Sequence, residues 1–205
     1  GVRSELRVAR IFVVLIAVGA VIAGVVLLIM GRPGGGGLAA APTVDFGVPT
    51  AREAYVPAVE VAREWDPGAL LAGGSGNWTP DINMEQLTAG RTSWTFYFYS
   101  PSRGEMATVV APRGDSAQFV KSEPWETAPN LLDELGWSMD SPVVTRELLN
   151  NCGESLAGHP DAQIILRLST AATNGRLLWT AWVFSASEPG TACEINMDAS
   201  SGELR

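Results

Sequence analysis

Lysine and histidine are almost missing from this chain. Lys121 and His159 are the only ones of their kind among 205 residues, and arginine supplies the rest of the positive charge. These two residue types carry much of the general-base and nucleophile chemistry that enzymes use. A Ser-Lys dyad would have to rest on Lys121, and a Ser-His-Asp triad on His159, which stands in the polar turn His159-Pro160-Asp161. Cysteine is nearly as scarce. Cys152 and Cys193 do not form a Cys-x-x-Cys pair, and one histidine does not complete a zinc site with them. No Walker loop, Rossmann glycine fingerprint or His-Glu-x-x-His run occurs. Gly73-Gly74-Ser75-Gly76 is not a Gly-x-Ser-x-Gly elbow. The acidic pairs Glu123/Glu126 and Asp133/Glu134 lack EF-hand spacing and read as solvated faces. These absences predict a protein that is not an enzyme and holds neither cofactor nor metal.

Charge divides the chain. Residues 1–32 carry Arg3, Arg7, Arg10 and Arg32 against Glu5, a net of +3, so the remainder carries −11 of the total −8. An acidic domain repels phosphate backbones, which speaks against nucleic acid as a partner.

Ile11 to Met30 runs for twenty residues without a charge or a proline. At about 1.5 Å per residue, a helix of that length spans the hydrocarbon core of a bilayer. Three arginines precede it and one follows, which predicts a cytoplasmic N-terminus and an extracytoplasmic C-terminal domain, periplasmic or cell-surface. An uncleaved signal-anchor in the inner or plasma membrane is expected. The competing reading is a cleaved signal peptide, with Ala39-Ala40-Ala41 as the small-residue site. Gly19 with Ala23, and Ala20 with Gly24, are small-xxx-small pairs that let helices approach closely in lipid, a candidate docking face for another membrane subunit. In an extracytoplasmic setting Cys152 and Cys193 read as one disulfide.

The expected organisation is a cytoplasmic segment over 1–10, a transmembrane helix over 11–30, a Gly/Pro/Ala-rich linker over 31–49, and two units over 50–125 and 126–205. Ala54, Ala58, Val61 and Trp65 recur at helical spacing after a Thr50/Glu53 capping box, with Pro57 predicting a late start or a kink. Residues 70–92 read as loop, with a short turn near Met84–Leu87. Trp94–Tyr99, Met106–Ala111 and Gln118–Lys121 read as strands. A second round follows: helices at Asn130–Leu135 and Val143–Leu156, then strands at Ile164–Ser169, Leu177–Ser185 and Ala192–Met197.

The two rounds share residues as well as order. Gly90-Arg91-Thr92-Ser93-Trp94-Thr95 matches Gly175-Arg176-Leu177-Leu178-Trp179-Thr180 at an offset of 85. This predicts a duplicated helix-then-antiparallel-hairpin unit. Asp198, Ala199, Gly202, Glu203 and Leu204 close the chain in a pattern that resembles the final hairpin of PepSY-type domains, with Ser201 where threonine is usual. Asp bonds the turn backbone and Gly permits a positive φ. The resemblance implies an α+β fold: two PepSY-like helix-plus-hairpin units in one compact domain behind the membrane helix. It also implies small extracytoplasmic modules, some linked to protease inhibition or regulation.

Aromatics crowd the predicted strands. Trp94, Phe96 and Phe98 share one face and Tyr97 and Tyr99 the other; Trp179 shares a face with Ala181 and Val183, opposed by Trp182 and Phe184. Either both faces are covered within the fold or one packs on a partner. The candidate interface is Trp94, Tyr97, Tyr99, Trp182 and Phe184. The function expected from all this is a non-enzymatic, membrane-anchored accessory or scaffold subunit of a membrane complex, such as a respiratory or photosynthetic one, whose partners are other membrane subunits and the bilayer. The alternative is a free-standing PepSY-like regulator or inhibitor of an extracytoplasmic protease.

Overall fold

The computed structural model describes residues 47–205 apart from 81, 172–174, 186, 188 and 189. The predicted membrane helix over 11–30, with Gly19, Ala20, Ala23 and Gly24, lies outside the described residues. Among those described, no helix is long and apolar enough to cross a membrane. The chain from Val44 to Arg205 is one compact unit.

Seven strands make one antiparallel sheet: β1 (Leu70–Trp78), β2 (Trp94–Ser100), β3 (Glu105–Arg113), β4 (Ser116–Pro124), β5 (Ala162–Thr170), β6 (Leu177–Ser185) and β7 (Thr191–Asp198). Their order is β4-β3-β2-β1-β5-β6-β7. Helices α1 (Ala51–Trp65) and α3 (Ser141–Gly158) pack on one face, and a short helix α2 (Met84–Thr88) connects β1 to β2.

This architecture corrects the expected pair of PepSY-like helix-plus-hairpin units. Strands dominate, and each half contributes three consecutive strands, with β4 in addition, to one continuous sheet. The error lies in β1. Its glycines marked residues 70–92 as loop, yet Leu70–Trp78 is the central strand, pairing with β2 on one side and β5 on the other. Gly74 and Gly76 are needed because aromatic rings lie over them. A Cβ on Gly76 would come within 2.7 Å of the Trp94 indole, and one on Gly74 within 2.9 Å of the Phe96 ring. The helix expected at Asn130–Leu135 is also absent. Only a 3₁₀ turn forms at Glu134–Gly136, started by the Asp133 carboxylate accepting from the Leu135 amide.

Helix α1 starts where the sequence predicts. Thr50 Oγ1 accepts from the Glu53 amide and Glu53 Oε2 accepts from the Thr50 amide. The helix runs through Pro57. Its buried stripe is Ala51, Ala54, Ala58 and Ala62, so Val61 and Trp65 are not the core positions that the spacing suggested. Four alanines let the helix axis lie close to the sheet.

Several local features recur in the two halves. Gly90 and Gly175 both have positive φ, +63° and +65°. Trp94 Nε1 donates to Pro49 O, and Trp179 Nε1 donates to Met139 O; each carbonyl immediately precedes its half's helix N-cap, Thr50 or Asp140. Asp66 follows α1 and accepts from the Ser100 and Ser102 hydroxyls, while Asp161 follows α3 and accepts from the Ser185 hydroxyl and the Ser187 amide.

A disulfide joins Cys152 of α3 to Cys193 of β7, with Cα atoms 5.8 Å apart. The C-terminal turn forms as its residues dictate. Asp198 Oδ1 accepts from the Ser200 and Ser201 amides, Gly202 sits at φ +79°, and Met197 pairs with Leu204.

Candidate functional site

Alternation along the strands sorts the side chains onto two faces. One is the core beneath the helices, filled by Trp94, Phe96, Phe98, Ile164, Leu166, Leu168 and Trp179, all nearly inaccessible. The other carries no helix among the described residues. Its register is fixed by the ladder: Lys121, Thr108, Tyr97 and Gly73 lie in one cross-strand row, and Ser75, Arg167, Thr180 and Asn196 in another.

The expected interface residues separate on this geometry. Trp94 is 0% exposed, a core residue that no partner reaches. Tyr99 faces the open side but is buried as well, because the chain after β4 folds back over that end. The Trp125 amide donates to Gly104 O and the Leu132 amide to Leu71 O. Tyr97 remains 39% exposed. Trp182 and Phe184 are half-buried and pack together, ring centroids 6.4 Å apart, beside Ile165 and Gln163 of β5.

The returning segment walls a cleft of about 460 Å³ on the open face. Gly73 and Gly74 lie at its floor, Tyr97 and Trp125 at its sides, with Lys121, Glu123 and Arg167 supplying charge. Lys121 Nζ is held by Glu123 Oε2 at 2.7 Å. The Arg167 guanidinium makes no hydrogen bond or ion pair with the described residues. Trp125 is 43% exposed. Sequence reasoning passed over Gly73, Trp125 and Arg167. Arg167 did leave a signal, as the one charge inside the apolar strand Ile164–Ser169. Gly73 left none, since its neighbours Gly74 and Gly76 are glycine for a different reason.

The carboxylates with displaced pKa values lie elsewhere, in turns, while burial raises the Tyr55 hydroxyl of helix α1 well above its ordinary value. Hydrogen bonds from Ser100, from the Gly68 amide and from Ser102 hold Asp66 down to about 2. Asp161 is lowered, with hydrogen bonds from Ser187 and Ser185 outweighing the opposing effect of burial. Asp198 is lowered by the Ser201 and Ser200 amides, with Arg205 and Arg176 adding charge. Each carboxylate ties a turn. His159 Nδ1 sits 2.7 Å from Ser155 O at the end of α3. Among the described residues, no group of three His, Cys, Asp or Glu could hold a metal. No family model, no curated protein and no solved structure matches this chain.

Proposed function

We propose that this chain is a membrane-anchored, non-enzymatic accessory subunit that binds a partner protein on the extracytoplasmic side. The observation that carries the reading is the partly buried aromatic pair Trp182–Phe184, on the sheet face that carries no helix among the described residues. Large rings cover area at low entropic cost and are favoured at interface centres. The anchor rests on the apolar run Ile11–Met30 and its arginine asymmetry. The Cys152–Cys193 disulfide supports an oxidising compartment for the domain. A Gly-rich tether would keep the domain concentrated near a membrane partner, so weak contacts in both layers would add.

The test is purification of the full chain from its own membranes in mild detergent. A stable partner set is expected, and Trp182→Ala with Phe184→Ala should thin it while the chain stays folded. A regulator of an extracytoplasmic protease would instead be recovered with that protease only after cross-linking. Recovery of the chain alone under both conditions would overturn the binding reading. So would a turnover abolished by Lys121→Ala or His159→Ala.

A further inference from the structure

Close packing does not require glycine at position 73, which stands beside the register shift between Leu71 and Gly73 in the β1–β2 ladder. Its φ is not in the left-handed region, and a Cβ built on it would meet only Leu168 O at 3.5 Å and the Tyr97 ring at 3.6 Å, both ordinary contacts. Its neighbours differ, since a Cβ on Gly74 or Gly76 would strike Phe96 or Trp94. What the missing Cβ of Gly73 leaves bare is the floor of the cleft. From that geometry we infer that the cleft binds an aromatic monocarboxylate.

Each part of the ligand answers a part of the wall. Tyr97 and Trp125, 39% and 43% exposed, offer two ring faces for a flat apolar group. Gly73 lets that group reach the sheet backbone. Arg167 offers a guanidinium with no ion pair to any described residue, and a carboxylate accepts from it in bidentate fashion. Lys121 is already neutralised by Glu123. With Lys121 and Glu123 neutralising each other, Arg167 is the net charge of the lining, which matches a single carboxylate. A volume of about 460 Å³ is within the range of small-molecule pockets. In a domain of strong negative charge, a binding site for an anion needs its cation placed locally, and Arg167 is so placed.

The ligand goes beyond the interface reading: Trp182 and Phe184 do not line the cleft, so loss of partner binding leaves this inference standing, and the converse holds. The same chemistry is carried by a free aromatic acid and by the C-terminus of a peptide ending in phenylalanine. The full chain in lipid nanodiscs is titrated with phenylacetate and with 2-phenylacetamide, using saturation-transfer NMR and calorimetry. Phenylacetate is expected to bind saturably and the amide at least tenfold more weakly. Arg167→Gln should bring phenylacetate down to the level of the amide. Gly73→Val should abolish both without lowering the melting temperature, and Gly73→Ala should fall between. A Phe-terminated peptide with a free carboxylate, compared with its amidated form, identifies the source: tighter binding than phenylacetate marks a protein terminus, weaker binding a free acid. Equal binding of acid and amide, unchanged binding in Gly73→Val, or no saturable binding of either acid or peptide would each overturn the inference.

Discussion

Trp94 and Trp179 occupy matching places in the two halves of the chain, and their rings touch, edge to face, with centroids 5.9 Å apart. Each also donates its indole N–H to the carbonyl before its own half's helix. The pair therefore ties both helix starts to the centre of the sheet. Trp94→Ala or Trp179→Ala should cost about 3–5 kcal/mol, the range for truncating a buried large aromatic. The double variant should cost less than the sum, because the two rings share a contact. Urea unfolding of all four chains measures the coupling; strict additivity would show that the contact carries no energy.

Asp140 is shared between two helices. Its Oδ1 accepts from the Ser141 amide at 2.7 Å and from the Arg52 amide at 3.1 Å. One carboxylate thus serves two N-terminal ends whose dipoles both point at it. Asp140→Ala is expected to lose about 1–2 kcal/mol, and Asp140→Asn less, because the amide oxygen still accepts. Thermal unfolding ranks the two; a larger loss in the Asn variant would contradict the shared cap.

Acid should destabilise the domain through Asp66, Asp161 and Asp198. All three are lowered in the folded chain, Asp66 to about 2, against about 3.9 in an unfolded one. A depressed carboxylate stabilises at pH above its unfolded value and loses that contribution as pH falls through its folded value. Stability should therefore hold from neutrality to about pH 5 and then decline, with the Asp66 share lost between about 4 and 2. Asp66→Asn should flatten that slope. Urea midpoints across pH 2–7 test it; an unchanged slope would show that Asp66 is not the group titrating.

Removing the disulfide should weaken the fold by about 4 kcal/mol in the chain-entropy model, since the bridge closes a loop of 41 residues. The paired variant Cys152→Ser, Cys193→Ser avoids a lone thiol and reports this value by denaturant unfolding. Labelling of the unreduced, denatured chain should find no free thiol.

Glycines of β1 should respond unequally to alanine. Gly76→Ala places a methyl against the Trp94 indole, whose position is fixed on both sides, and should cost about 1–3 kcal/mol. Gly73→Ala should stay within about 0.5 kcal/mol of the parent. Equal losses at the two sites would remove the contrast on which the cleft rests.

The same contrast shows where the sequence could be read and where it could not. Strands β2, β3, β6 and β7 were legible from aromatic and β-branched runs, and the start of α1 from Thr50 and Glu53, because those signals are local. Strand β1 was illegible, because Gly74 and Gly76 answer to rings on another strand. Alternation put Tyr97 and Trp182 on the face away from the core. It could not show that Tyr99 is sealed by the segment after Trp125, because nothing in that segment marks where it returns. The cleft was illegible for the same reason: its wall combines β1, β2, β3, β4, β5 and a connection.

The central position of β1 also sets an order of assembly. On the ribosome β1 to β4 emerge first and can pair as a four-stranded layer, but Gly74 meets Leu168 only after the second half is made. Until then β1 is an unpaired edge, the kind of surface on which nascent chains associate wrongly. A strand so poor in β-branched residues is a weak template for foreign strands. Replacing Ser75 and Asn77 together by valine should accordingly raise aggregation during synthesis, more than it alters the finished domain.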